Sequence, residues 1–332
     1  MKNKQKTILK QVVISILIVF GLILVVGPFV FSRQTAAEDI KYGATYSAMY
    51  ADELGIDPLE GFEAVVKDLG VSMVRIPVYW DRIELERDVF EWDELDAMMD
   101  LADDRDIDVI LAIGRRVPRW PECFSPDWAL ELAQSDLDTE QLQMVRAVVE
   151  RYRDRESLLR WQVENEPFLK WFGECSDLDE AFFLQEVNLV RSLDRNTVIM
   201  TTASGEQSLW TNEAKLTDDM VGVSVYRTVH NPIFGYLTYP IPTWAYRAKA
   251  KLLGETQVIV SELQAEPWFA REVGKYTVNE QLEIFDVHDL EKNLSYVENI
   301  GFPEVYVWGV EWWYFLKMND KPELWEAGKM IF

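Results

Sequence analysis

Two glutamates stand at the ends of apolar runs. Leu159-Arg160-Trp161-Gln162-Val163-Glu164-Asn165-Glu166-Pro167 reads as a short buried strand that runs into a carboxylate, with a proline closing the turn. Val258-Ile259-Val260-Ser261-Glu262 is a second apolar run capped by a glutamate. Catalytic barrels do their chemistry at the carboxyl ends of their strands, so a strand that ends in an acid is what such a fold needs. Two carboxyls that meet about 5–5.5 Å apart suit retaining cleavage of a glycosidic bond: one protonates the leaving oxygen and the other attacks the anomeric carbon. The pair must then differ in environment, one protonated near neutral pH and one ionised. This reading sets Glu166 and Glu262 across one pocket; the alternative is two surface acids at loop starts.

The elements that must position them alternate along the chain. Eight apolar runs follow residue 41: Tyr42–Tyr46, Met73–Val78, Val109–Ile113, Leu159–Val163, Val198–Thr202, Val221–Val225, Val258–Ser261 and Val305–Trp308. Most are Val/Ile-rich without polar alternation, as strands buried on both faces are. Helical spacing fills the gaps at Pro58–Leu69, Trp92–Asp104, Thr139–Arg155, Ala181–Leu193, Thr243–Leu253 and Asn279–Asn299, with a short last helix near Glu323–Met330. Eight strands alternating with helices predict an α/β fold, a (β/α)8 TIM barrel over residues 41–332. No Gly-x-Gly-x-x-Gly loop follows the first strand, which weakens a nucleotide-binding alternative.

The N-terminus reads differently. Residues 12–31 carry no charge and are almost wholly apolar, and about 20 such residues span a bilayer's hydrocarbon core. Lys2, Lys4, Lys6 and Lys10 precede the run and only Arg33 follows closely. The positive-inside tendency puts 1–11 in the cytoplasm as a basic tail, 12–31 in the membrane as a signal anchor, and everything after a 32–40 tether outside. A cleaved signal peptide competes, but its apolar region is about 7–15 residues with a small-x-small site, and Thr35-Ala36-Ala37 matches that poorly. The expected location is the cell membrane, single-pass, with the catalytic domain extracytoplasmic.

Composition narrows the chemistry. The formal net charge is −24, and residues 1–37 hold five bases and no acids, so the rest carries 28 basic against 57 acidic residues. So acidic a surface repels phosphate backbones and argues against nucleic acid as a partner. Two cysteines and two histidines give no cluster with metal-ligand spacing, so neither a metal nor another cofactor is expected. No Gly-x-Ser-x-Gly elbow is present for a serine triad. Thirteen tryptophans could line a sugar pocket, though many would simply fill the core.

At these positions the sequence resembles glycoside hydrolase clan A, the cellulase-like and β-galactosidase-like retaining glycosidases. The clan carries Asn-Glu at the end of its fourth barrel strand, here Asn165-Glu166, and Glu at the end of the seventh, here Glu262. The resemblance extends to Val74-Arg75-Ile76-Pro77-Val78-Tyr79-Trp80, where cellulase-like members keep an arginine near the nucleophile, and to Phe90-Glu91-Trp92-Asp93 with Leu95-Asp96. It includes Tyr226 after the sixth run, and Trp308 and Trp312 near the eighth, where the clan places a tryptophan under the sugar. It spans about residues 42–315. The resemblance implies Glu166 as acid/base and Glu262 as nucleophile. It implies Asn165 on the sugar 2-hydroxyl, Arg75 and Tyr226 on Glu262, and Trp80, Trp308 and Trp312 among the substrate-binding residues.

Departures and rivals stand beside it. Many cellulase-like members carry histidines after the third, fourth or sixth strand, whereas here Ile113-Gly114-Arg115-Arg116 follows the third run. Arg115-Arg116 could read an acidic or densely hydroxylated sugar or pair with nearby acids, and His230 could line the pocket or be a plain loop residue. Glu164 and Glu266 flank the proposed pair, and strand alternation ranks Glu164 lower. Cys123 and Cys175 lie after adjacent strands on the catalytic face, which makes a disulfide plausible outside the cell. The expected function is an outward-facing, membrane-anchored retaining β-glycosidase acting on a poly- or oligosaccharide. A non-catalytic glycan-binding protein on the same barrel is the alternative, and a metal-dependent hydrolase is disfavoured by the shortage of histidine.

Overall fold

The structure is a computed structural model that describes residues 39–217 and 219–332. The expected tail, anchor and all but the last two residues of the tether therefore lie outside the described residues. Among the described residues no helix is long and apolar enough to cross a membrane.

Strands form at all eight apolar runs: β1 Lys41–Thr45, β2 Met73–Pro77, β3 Asp108–Ile113, β4 Leu158–Val163, β5 Val198–Ala203, β6 Met220–Val225, then β9 Gln257–Gln264 and β10 Glu304–Trp308. They pair in parallel and close in chain order, β10 returning to β1, as a (β/α)8 barrel. A hairpin that periodicity did not reveal, β7 Thr228–Asn231 and β8 Gly235–Thr238, is inserted between β6 and β9.

Each strand packs its outward residues under the helical layer. Trp161 and Val163 of β4 join the large cluster built with Met144, Val145, Val148 and Val149, which lie on helix α1 (Gln134–Tyr152). Inside the barrel, Met73, Ile110, Met200, Met220, Ile259 and Tyr306 fill one layer. Arg160 forks onto Glu304 across the interior at 2.6 and 2.8 Å. The barrel is thus a packed core, and open space is left to its rim.

Two expectations are corrected. The single helix expected over Asn279–Asn299 is two, Val278–Ile284 and Val287–Ile300. Asp286 breaks it by capping the second helix in a reciprocal box with Asp289, which satisfies orphan N–H groups that a continuous helix would not expose. The helix expected at Thr139 begins at Gln134 instead.

Candidate active site

The alternation of β9 would turn Glu262 the wrong way. Val258 and Val260 face the helical layer, and an unbroken strand would send Glu262 after them. The register shows why it does not: Val223 pairs with Val260, but Ser224 pairs with Glu262. The β10 ladder shifts over the same stretch. Ser261 is an extra residue, a β-bulge, and bulges at barrel rims re-aim side chains. Leu263 returns to the outer cluster, while Glu262 and Gln264 enter the mouth of the barrel.

The end of β4 departs from a regular strand by backbone sign. Glu164 has φ 57° and Glu166 φ 42°, left-handed values uncommon for residues with a side chain. Gln162, inside, accepts from Arg75 Nε at 2.7 Å. Glu164 swings to the helical side. There it accepts from the backbone N–H of Arg115 and Arg116 at 3.0 and 2.7 Å, and from Gln141 of α1 at 2.7 Å. Glu164 is therefore structural, although the turn at its own φ, rather than alternation, puts it there. Asn165 and Glu166 then face the mouth.

A cavity of about 960 Å³ opens at these strand ends, lined by Asn165, Glu166, Tyr226, Glu262 and Trp308 among others. Glu262 accepts from the Arg75 guanidinium at 2.8 Å on one oxygen and from the Tyr226 hydroxyl at 3.1 Å on the other. Arg75 is fully buried and also donates to Asn165 Oδ1 at 2.7 Å, so one cation spans both strand ends. Glu166 is held by neutral groups: Ser224 Oγ donates to its Oε1 at 2.9 Å, and its N–H donates to Thr202 at 2.8 Å. Burial pushes its carboxyl well above the ordinary range, and repulsion from Glu262 and then Glu122 adds to this. Ser224, paired in register with Glu262, thus touches Glu166 as well.

The remaining expected residues divide. Trp308 lines the cavity, donates to Glu266 at 2.8 Å and carries the Arg119 guanidinium 4.4 Å from its ring centre. Trp80 and Trp312 are corrected: both are fully buried core residues away from the cavity. Trp80 bonds Glu84 and Trp312 bonds Gln281; each sits in a helix that turns its ring inward. Arg115 and Arg116 do not line the cavity either. Arg116 donates to the carbonyls of Leu169 and Phe172 at 3.1 and 2.9 Å, and its Nε lies 3.6 Å from Glu122 Oε2. His230 lies on the hairpin against Tyr236. Cys123 and Cys175 are joined in a disulfide, with Cα atoms 5.4 Å apart, which ties the β3 loop to the β4 loop.

Two carboxyls escaped the sequence reading. Glu122 lines the cavity, accepts from Asn165 Nδ2 at 2.9 Å, and is pushed up to about 7 by burial against the pull of Arg116. Glu206 also lines it, accepts from the Tyr226 N–H at 2.8 Å and the Tyr246 hydroxyl at 2.6 Å, and is likewise raised to about 7 by burial. Ala203-Ser204-Gly205-Glu206 repeats the signal of a strand running into an acid. Gly205 is obligatory in it, since a Cβ there would lie 1.8 Å from the Ser224 carbonyl oxygen. Among the described residues no group of three or more His, Cys, Asp or Glu is placed to hold a metal.

Comparisons with known proteins agree with this architecture. No curated protein sequence matches the chain. Among solved structures it resembles GH5_18 from Streptomyces cattleya in complex with GlcNAc, at 16% identity and TM-score 0.55 over 82% of this chain and 71% of that one. It resembles an endo-beta-1,4-xylanase of glycoside hydrolase family 10 from Gloeophyllum trabeum, at 17% identity and TM-score 0.55 over 82% and 85%. It also resembles the endo-1,4-beta-D-mannanase from Thermotoga petrophila RKU-1, at 14% identity and TM-score 0.53 over 81% and 88%. At such identities the likeness establishes the shared barrel. The family described as Cellulase (glycosyl hydrolase family 5) matches residues 41–235, more than half of the 332, so the chain belongs to that family and is a glycosidase that hydrolyses O-glycosyl bonds.

Proposed function

We propose that the enzyme is a retaining β-glycosidase that cleaves a poly- or oligosaccharide by double displacement. Glu166 is the acid/base and Glu262 the nucleophile. The observation that carries this is the contrast between two carboxyls on one cavity. Burial and like charge raise Glu166, so it holds a proton for the leaving oxygen. Glu262 accepts from a buried guanidinium and a phenol, which aim it and leave its lone pairs for the anomeric carbon. The solved neighbours named as endo-1,4-beta-D-mannanase and endo-beta-1,4-xylanase support a β-linked substrate.

In the first step Glu166 protonates the glycosidic oxygen while Glu262 bonds to the anomeric carbon. In the second, Glu166, now a carboxylate, takes a proton from water, and that water displaces Glu262. Asn165 donates to the sugar 2-hydroxyl, a contact that strengthens in the transition state. Arg75 fixes Asn165 and Glu262 together, Tyr226 orients Glu262, and Trp308 walls the cleavage subsite. NMR of the first sugar released tests the assignment: a β anomer is expected, and an initial α anomer refutes double displacement.

The same proposal includes the apolar run at 12–31 as an uncleaved single-pass anchor that presents the barrel outside the cell. The Cys123–Cys175 disulfide supports an oxidising compartment. Fractionation with protease applied from outside is the check: the barrel is expected to be membrane-bound and accessible.

A further inference from the structure

Helix α2 (Glu180–Leu193) turns Phe183, Val187 and Val190 into the core, and Glu186 stands on the same buried stripe. Gln141 of α1 is buried likewise. A carboxyl on such a face is costly unless it is satisfied there. The Gln141 amide bridges Glu186 to Glu164: its Nε2 donates to Glu164 Oε1 at 2.7 Å and to Glu186 Oε1 at 2.6 Å. Glu186 Oε2 is buried, and among the described residues no donor reaches it. The two carboxyls are themselves hydrogen-bond partners, which requires that one of them hold a proton. Both Glu164 oxygens already accept backbone N–H groups, Arg115 on Oε1 and Arg116 on Oε2, so the proton belongs to Glu186. We propose that Glu186, which does not line the cavity, is a positioning residue for the reaction: as a neutral carboxylic acid it donates to Glu164 and so holds the turn that aims Asn165 and Glu166.

The inference rests on the roles given above to Asn165 and Glu166. Glu164 immediately precedes them at φ 57°, a backbone state that a residue with a side chain keeps only where its surroundings hold it. Its carboxylate does the holding. It takes three donors, and it fits so closely that a Cβ at Gly114 would lie 2.5 Å from its Oε1. A charge-assisted bond from Glu186 completes the set. The charged groups that act on Glu186 are Glu164, at the end of β4, and the Arg115 guanidinium on the loop after β3; α1 faces it with the neutral Gln141. That guanidinium turns to Ser176, to whose Oγ it donates at 2.8 Å. Burial, and then the charge on Glu164, push the Glu186 carboxyl well above the ordinary range. At Glu164 the N–H groups of Arg115 and Arg116 work against burial. An ionised Glu186 would set two buried like charges on one amide and take a donor from the turn.

The test replaces Glu186 by Gln, which keeps a donor at every pH, and by Leu, which supplies none. The stability contributed by the neutral carboxyl is full below the ordinary carboxylate range and is lost as pH rises toward its raised folded value. Glu186→Gln has no such proton to lose. Its thermal midpoint should therefore gain on that of the native enzyme by about 4 °C or more between about pH 5 and about pH 8. Glu186→Leu should lower kcat about tenfold with KM little changed, and Gln at the same position should restore most of that loss. Glu164→Gln should be the harmful one of the two Gln variants, because its NH2 group meets a backbone N–H. A midpoint gap that stays constant over that pH range, a Leu variant that turns over like the native enzyme even if it melts earlier, or a Glu164→Gln as mild as Glu186→Gln would overturn the proposal. If the Leu variant fails to fold, the midpoint gap and the contrast between the two Gln variants decide. Failure of the two-glutamate reading shows separately, as activity surviving in Glu166→Gln and Glu262→Gln.

Discussion

The rims of β4 and β9 each deliver one carboxyl to the cavity, by different departures from a regular strand and into opposite surroundings. At β9 an inserted residue, Ser261, shifts the register and turns Glu262 inward, against Arg75 and Tyr226. At β4 two left-handed residues send Glu164 out and Glu166 in, and Glu166 accepts from the Ser224 hydroxyl rather than from a guanidinium. Chemically identical side chains therefore differ because of what the neighbouring strands supply: β2 brings a guanidinium to one, and β6 a hydroxyl to the other. Separation of this kind is how one acid and one nucleophile are made from two glutamates.

The largest effect should come from deleting each carboxyl. Glu262→Ala is expected to lower kcat by about 10⁵-fold or more, the scale of losing a nucleophile. Glu166→Ala should lose about 10²–10⁴-fold, the usual contribution of a general acid, and less with a good aryl leaving group. Added azide separates the roles. It should rescue Glu262→Ala with the α-glycosyl azide, since small anions fill the space of the lost nucleophile, and Glu166→Ala with the β product. If the two variants gave the same anomer, the asymmetry between the rims would be lost.

How much of this could be read beforehand depended on the kind of signal. The eight strands were legible because buried parallel strands are continuous Val/Ile runs, and their ends fixed the order of the site. The inward aim of Glu262 was expected from the rule that catalytic barrels work at their strand ends and from the resemblance, not from side-chain alternation. A bulge at Ser261 leaves no trace in hydrophobic pattern, and plain alternation points the carboxyl outward. Glu164 was ranked low on alternation, but its φ of 57° is what turns it to the helical side. Trp80 and Trp312 were misplaced because nearness to a strand end does not specify the face of the helix that follows. Glu122 was invisible for a related reason: it sits in a loop whose shape depends on tertiary contacts. Glu206 was within reach, since it follows the fifth strand as Glu166 follows the fourth.

Removing the cation should make the β9 rim resemble the β4 rim. Arg75→Met leaves the Glu262 carboxyl buried without its counterion, and breaking such a pair costs about 3–5 kcal/mol. A clear fall in thermal midpoint is expected, with kcat/KM down at least about 10²-fold, because Glu262 loses its guanidinium and Asn165 loses one of its hydrogen bonds. A variant that melts with the native enzyme would show that the pair adds nothing to the fold. Tyr226→Phe takes away one neutral hydrogen bond to Glu262 and nothing else within the pair. About a tenfold fall in kcat is expected, with little change in KM. A KM effect alone would make the tyrosine a substrate contact instead.

The smallest change sharpens the comparison most. Glu166 must be protonated to act as acid, so activity falls as pH rises through its folded pKa, which burial sets high. Ser224 donates to the Glu166 carboxylate and favours the charged form, pulling that pKa down. Ser224→Ala removes the pull and leaves burial and like charge unopposed, so the alkaline limb of kcat/KM should move to higher pH, by about half to one unit. Tyr226→Phe, which touches only Glu262, should leave that limb where it is. A limb that moves to lower pH in Ser224→Ala, or equally in both variants, would mean that the acid is not the carboxyl on β4.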